Sequence, residues 1–266
     1  MKYLFIILFS SLVFFCCNDE GREFKVKTNN ISEELAHKKK LEKTVKFFNG
    51  KDSVEAYFTT PSGNGPFPAV IILHEQWGLT EWIRVNSEAL ANKGYAALAI
   101  DLYNGIMPKN FDEAQTLMQQ LDNDNVIRIV RSAYDFLENH SKVKKEKIGL
   151  IGWGMGGGLA LESAVNFRDF KAVIVNYGNL VTERKKIRKI KSPLMGIFGE
   201  TDRSIPVMDI QAFKETLNDL EKENKIIIYR NVGHGFMNPN NKSEYNADIT
   251  ERAWREIFKF LGIHLS

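Results

Sequence analysis

Short, continuous apolar runs alternate with longer amphipathic stretches along most of this chain, and that alternation predicts its elements. The pattern opens with Val45 to Phe48, an Asn49-Gly50 turn signal and Val54 to Thr59, which reads as a β-hairpin. Pro68 to His74 ("PAVIILH") is apolar almost throughout, as expected of a strand covered on both faces. Glu81 to Lys93 predicts a helix, Tyr95 to Asp101 a strand, Phe111 to Asn139 one or two helices, and Lys147 to Gly152 a strand. A helix over 156–166, a strand over 171–176, a helix over 183–190 and a strand over 193–199 follow. A helix over 206–222, a strand over 225–230 and a helix from Glu244 to Leu261 complete the series. A hairpin feeding such a βαβ succession predicts an α/β fold: a mostly parallel central sheet with helices on both faces. No internal repeat or second-domain boundary interrupts it.

The first residues obey a different pattern. Met1-Lys2 leads into an apolar run, Leu4 to Phe15, and then Cys16-Cys17-Asn18-Asp19. The run falls short of the roughly 20 residues a membrane span needs and fits the apolar region of a secretory signal. The paired cysteines resemble a bacterial lipoprotein signal, with Cys17 as the lipidated residue, although Phe14 and Phe15 stand where that signal has smaller side chains. A plain cleaved signal peptide is the alternative. The expected organisation is therefore a signal over 1–17, a polar tether over 18–43 and one α/β domain over 44–266. That implies an exported protein, held in the cell envelope by a lipid anchor.

Composition narrows the chemistry. A net charge of +3 over 266 residues makes no case for a nucleic-acid partner. Cys16 and Cys17 are the only cysteines, so the domain itself contains neither a disulfide nor a thiol nucleophile. No motif calls for a metal or a cofactor.

The glycine-rich turn in "KIGLIGWGMGGGLALESA" (147–164) has two readings. Gly152, Gly154 and Gly157 spell the dinucleotide-binding pattern G-x-G-x-x-G. That pattern requires an acidic residue at the end of the next strand, yet "KAVIVNYG" ends in Asn176-Tyr177, and the turn follows a late strand. Alternatively, Gly152, Gly154 and Gly156 frame a nucleophile elbow, which requires an acid and then a histidine downstream, each in a loop after a strand. Asp202 in "GETDRSIP" and His234 in "NVGHGFMNP" meet that demand. His37, His140 and His264 lack such a context and read as surface residues.

Four stretches then carry a specific likeness: "HEQWGL" (74–79), "GYAALAIDLYNG" (94–105), "GLIGWGMGGGLAL" (149–161) and "GETDRSIP" with "GHGFMNP". From about Thr44 onward the chain resembles the dienelactone hydrolase family of the α/β-hydrolase superfamily. The resemblance implies an ester or lactone substrate and a Cys-Asp-His triad with a glutamate against the thiol. Carried over, the acid is Asp202, the base His234 and the glutamate Glu75, with the backbone N–H groups of Gln76 and Met155 as oxyanion donors. The nucleophile position falls on Gly154, which has no side chain. Ser163, on the following helix, and Ser204, in the acid's loop, are badly placed to substitute.

Three explanations stand open at that point: slow hydrolysis by a water that His234 activates, a non-catalytic ligand-binding protein on the same fold, or an engineered knockout of the nucleophile. The substrate region departs from the family as well. Gly105 and Asn238 stand where carboxylate-binding arginines are expected, so dienelactone itself is not the expected substrate. Trp77, Trp153, Tyr103, Tyr177 and Phe236 are expected to give an apolar, aromatic mouth, and Arg84 and Arg203 to lie on the surface. The stretch "ERKKIRKIK" (183–191) reads as a solvated basic helix, with contact to anionic lipid as the alternative. Oligomeric state is not set by the sequence.

Overall fold

The computed structural model describes residues 43–266. The signal, Cys17 and the tether up to residue 42 lie outside the described residues. The elements are β1 (Thr44–Asn49), β2 (Asp52–Thr59), β3 (Phe67–Leu73), α1 (Glu81–Asn92), β4 (Ala96–Ile100), α2 (Phe111–Gln120), α3 (Asn123–Glu138) and β5 (Val143–Trp153). They continue with α4 (Met155–Asn166), β6 (Ala172–Asn176), α5 (Arg184–Ile187), β7 (Leu194–Gly199), α6 (Val207–Asp219), β8 (Asn224–Tyr229) and α7 (Ala247–Leu265).

All eight strands form one sheet in the order β1-β2-β4-β3-β5-β6-β7-β8. β3 to β8 are mutually parallel, while β2 runs against both β1 and β4. The order reverses beside β3, so the strand ends on either side of it open into a crevice.

The apolar runs are continuous because alternate residues feed two separate cores. Ile71, Leu73, Leu150 and Val173 pack on one face against α3, α4 and α6. Val70, Ile72, Ile151 and Ile174 pack on the other against α1 and α7. Helix starts follow side-chain caps: Asn110, Asp122 and Asn246 accept from the backbone at the heads of α2, α3 and α7.

Boundaries depart from the sequence pattern where local chemistry intervenes. The hairpin loop is Gly50-Lys51, since Asn49 pairs with Asp52, and Gly50 takes φ +65°. The basic stretch is helical only over Arg184–Ile187, because short-range bonds from Lys189 and Ile190 to Lys186 and Ile187 tighten the chain ahead of Pro193. The last helix starts at Ala247, where Asn246 caps it, and runs on to Leu265.

The turn from β5 to α4 is set by backbone crowding. A Cβ on Gly152 would lie 2.0 Å from the Gly156 carbonyl oxygen, and one on Gly156 would lie 2.3 Å from the Leu73 oxygen. Gly156→Ala should therefore cost about 3 kcal/mol or more in thermal unfolding, since β3 and α4 must separate to admit the methyl group. Gly158→Ala, whose Cβ would meet Asn179 at 3.3 Å, should stay within about 1 kcal/mol of the parent.

Candidate active site

Four strand ends converge in the crevice. Glu75 follows β3, Gly154 follows β5, Asp202 follows β7 and His234 follows β8. Glu75, Gly154 and His234 line one cavity of about 500 Å³, together with Gln76, Trp77, Thr80, Met107, Pro108, Met155 and Asn240; Asp202 is outside that lining.

Asp202 is buried and fully engaged. One oxygen accepts from the backbone N–H groups of Ser204 and Ile205, at 2.8 and 3.2 Å; the other meets His234 Nδ1 at 2.8 Å. That bond orients the imidazole so that Nε2 faces Gly154, 3.6 Å from where a Cβ on that residue would sit. Asn241 ties down the histidine loop by donating to the His234 carbonyl at 2.9 Å. Burial pulls the His234 imidazolium towards deprotonation, but the hydrogen bond and charge of Asp202, helped by Glu75 and Glu244, raise its pKa overall.

Gly154 has φ +52° and ψ −116°, a conformation that strains any residue carrying a Cβ. Its N–H donates to the Asn176 carbonyl, and Asn176 in turn donates to the Gly152 carbonyl, both at 3.0 Å. The turn is thus stitched to β6 on one side and wedged under β3 on the other. Gln76 and Met155 both line the cavity, and their N–H groups make no hydrogen bond to any described residue. Two free donors beside an imidazole are the arrangement that binds a developing oxyanion.

Glu75 is buried beside this base. The Tyr177 hydroxyl donates to one of its oxygens at 3.2 Å and Asn238 Nδ2 to the other at 2.6 Å. Desolvation outweighs those bonds and the attraction of His234, and pushes the carboxyl up to about 7. Two partners that sequence reasoning missed support it. Asn238, read there only as a replaced arginine, is its closest donor. His74 is wholly buried: Leu102 N–H donates to Nε2 at 3.1 Å, so Nδ1 carries the proton and donates to the Glu75 carbonyl at 2.6 Å. The signal for both was proximity in sequence to a candidate residue.

The aromatic mouth needs correction. Of the five residues expected there, only Trp77 lines the cavity. Trp153 points into the α1/α7 core, edge-on to Trp82, because the residue before the elbow faces away from it. Tyr103 lies under the turn after β4, with its hydroxyl on Met155 Sδ at 3.2 Å. Tyr177 is committed to Glu75 and sets its ring edge against His234; Phe236 is buried behind Tyr177. Gly105 and Arg84 line a separate, smaller cavity, and Arg84 lies largely buried against the Tyr57 ring, not on the surface; Arg203 is exposed. His140 and His264 are half-buried against Phe58 and Phe260.

The raised Glu75 pKa has a consequence for stability. The folded state holds a proton that the unfolded carboxyl, near 4.5, gives up, so stability falls as pH rises from about 4.5 to about 7. The loss should approach about 3 kcal/mol. Glu75→Gln should remove that fall in denaturant titrations across this range, leaving the opposing rise from buried His74, whose pKa is lowered by desolvation, and the fall above pH 6.5 from His234.

Comparisons with known proteins place the chain in a family. The sequence profile of the Dienelactone hydrolase family matches residues 54–265. "Protein usf" of Aquifex pyrophilus is 30% identical over 232 residues, covering 84% of this chain and 98% of its own. A Synechocystis protein provisionally named a carboxymethylenebutenolidase is 27% identical over 221 residues, 77% of this chain and 89% of its own. Among solved structures, a dienelactone hydrolase-like promiscuous phosphotriesterase from metagenomic libraries superposes with a TM-score of 0.77. At 22% identity, covering 84% of this chain and 98% of that one, it supports the fold alone. The profile spans most of the chain and includes every loop that meets at the cavity: this protein belongs to the dienelactone hydrolase family.

Proposed function

We propose that the protein hydrolyses small, uncharged esters or lactones without a covalent intermediate. The observation that carries this reading is the aim of His234: with Nδ1 held by Asp202, Nε2 is directed at a residue that has no side chain. A water there donates its proton to Nε2 as its oxygen attacks the acyl carbon. The N–H groups of Gln76 and Met155 hold the carbonyl oxygen as it becomes negative. The C–O bond then breaks, and the imidazolium returns the proton to the leaving alcohol. Asp202 and the nearby Glu75 carboxylate stabilise that imidazolium.

The preference for uncharged substrates comes from the lining. The cavity presents Gln76, Thr80, Asn238, Asn240 and Asn241, with Trp77, Met107 and Pro108 on the apolar side, and no lysine or arginine. A carboxylate-bearing substrate would meet Glu75 with no cation to offset it. Glycine at 154 also supports the second reading, a protein that binds such molecules without turning them over, because it removes the strained side chain along with the nucleophile.

Turnover of p-nitrophenyl acetate separates the two. The parent should exceed His234→Ala by about 100-fold or more, the usual contribution of a general base. Its rate should rise with pH through a transition above 6.5, as neutral His234 accumulates. Gly154→Cys should add a burst of p-nitrophenol. Equal rates for the parent and His234→Ala would overturn the hydrolytic reading in favour of binding.

A further inference from the structure

The parallel sheet gives the domain two opposite rims. The strand ends carry the cavity; the strand starts, about five or six residues or roughly 17–20 Å away, carry a different chemistry. Arg168 leads into β6, Arg188 and Lys191 into β7, Lys222 into β8, and Lys144 and Lys145 open β5. Five of the six are exposed and Lys222 is partly buried, and among the described residues none of the six forms an ion pair.

These cations stand close enough to repel one another. Lys222 donates to the Arg188 carbonyl at 2.8 Å, and partial burial together with the charges of Lys191, Arg168 and Arg188 lowers its ammonium pKa. The acidic residues of the same rim include Glu138, Glu146, Asp169, Asp219, Glu221 and Glu223. Of these, Asp169 already faces Arg131, Asp219 faces Arg184 and Glu223 faces His264. Uncompensated like charges at one rim cost energy in water and gain it back only against an anionic surface.

The chain's entry point favours a lipid surface as that partner. β1 runs in the same sense as the parallel strands, so the polypeptide enters through Lys43 from the side of the strand starts. The residues before it hold the apolar run and the cysteine pair that resemble a lipid-anchoring signal, followed by a polar stretch of 18–42. No helix among the described residues is long and apolar enough to cross a membrane.

We infer that the rim of strand starts, centred on Arg168, Arg188, Lys191 and Lys222, is a docking surface for anionic phospholipid headgroups, which turns the cavity away from the membrane. Each cation near an anionic bilayer contributes about 1 kcal/mol, which converts to roughly fivefold in affinity.

Co-sedimentation of the full chain with vesicles tests this. Phosphatidylcholine vesicles measure whatever residues 1–42 contribute, and phosphatidylglycerol vesicles add the charge. The parent should bind phosphatidylglycerol more tightly, and added salt should erase the difference. Arg188→Gln with Lys191→Gln should weaken phosphatidylglycerol binding by roughly 30-fold. Lys109→Gln with Lys242→Gln makes the same charge change at the cavity rim and should leave binding within about twofold of the parent. Equal parent binding to both vesicle types overturns the inference. So does equal loss in the two double variants, which would mean that net charge alone attracts the protein. Preferential binding of a single-stranded RNA that displaces phosphatidylglycerol vesicles would overturn it in favour of a nucleic-acid surface.

Discussion

The closeness of two backbones is the constraint on which the rest of this site depends. Where α4 begins, Gly156 lies so near the Leu73 and His74 carbonyls that not even a methyl group fits, and Gly152 is equally tight against Gly156 itself. That contact locks the end of β5 against the end of β3. It thereby holds in place the chain segments that carry Met155 and Gln76, both of which line the cavity, with Gly154 at positive φ just before Met155. Rigid main chain is well suited to this task, since donors on strands and helices need no reorganisation when charge develops in front of them.

Around that frame the charges are arranged at some cost to the fold. Glu75 is a buried carboxyl with two hydrogen-bond donors and a histidine nearby, and still its proton is held up to about pH 7. Asp202 is as deeply buried, with two backbone N–H groups and the imidazole as its partners. The two carboxyls differ in their partners: side-chain donors hold Glu75, while backbone donors and the imidazole hold Asp202.

Gly154 acts on both sides of that balance. A side chain there would carry backbone strain of order 1–3 kcal/mol, which glycine removes. The same substitution leaves His234 with no covalent partner. What persists is the Asp202–His234 pair, with Nε2 directed at Gly154.

The sequence by itself determined the element order, the mostly parallel sheet and the placing of Glu75, Asp202 and His234 after strands, because those features follow from local periodicity and turn chemistry. It also determined that no cysteine stands in the domain. Only the tertiary structure decided which way the aromatic residues point. In a sheet buried on both faces every strand residue is apolar, so nothing in the run says whether Trp153 faces the cavity or the α1/α7 core. It likewise decided that Tyr177 and Asn238, 102 and 163 residues from Glu75 along the chain, are the donors that hold it. Such pairings depend on strand order across the sheet, which periodicity along one strand does not encode.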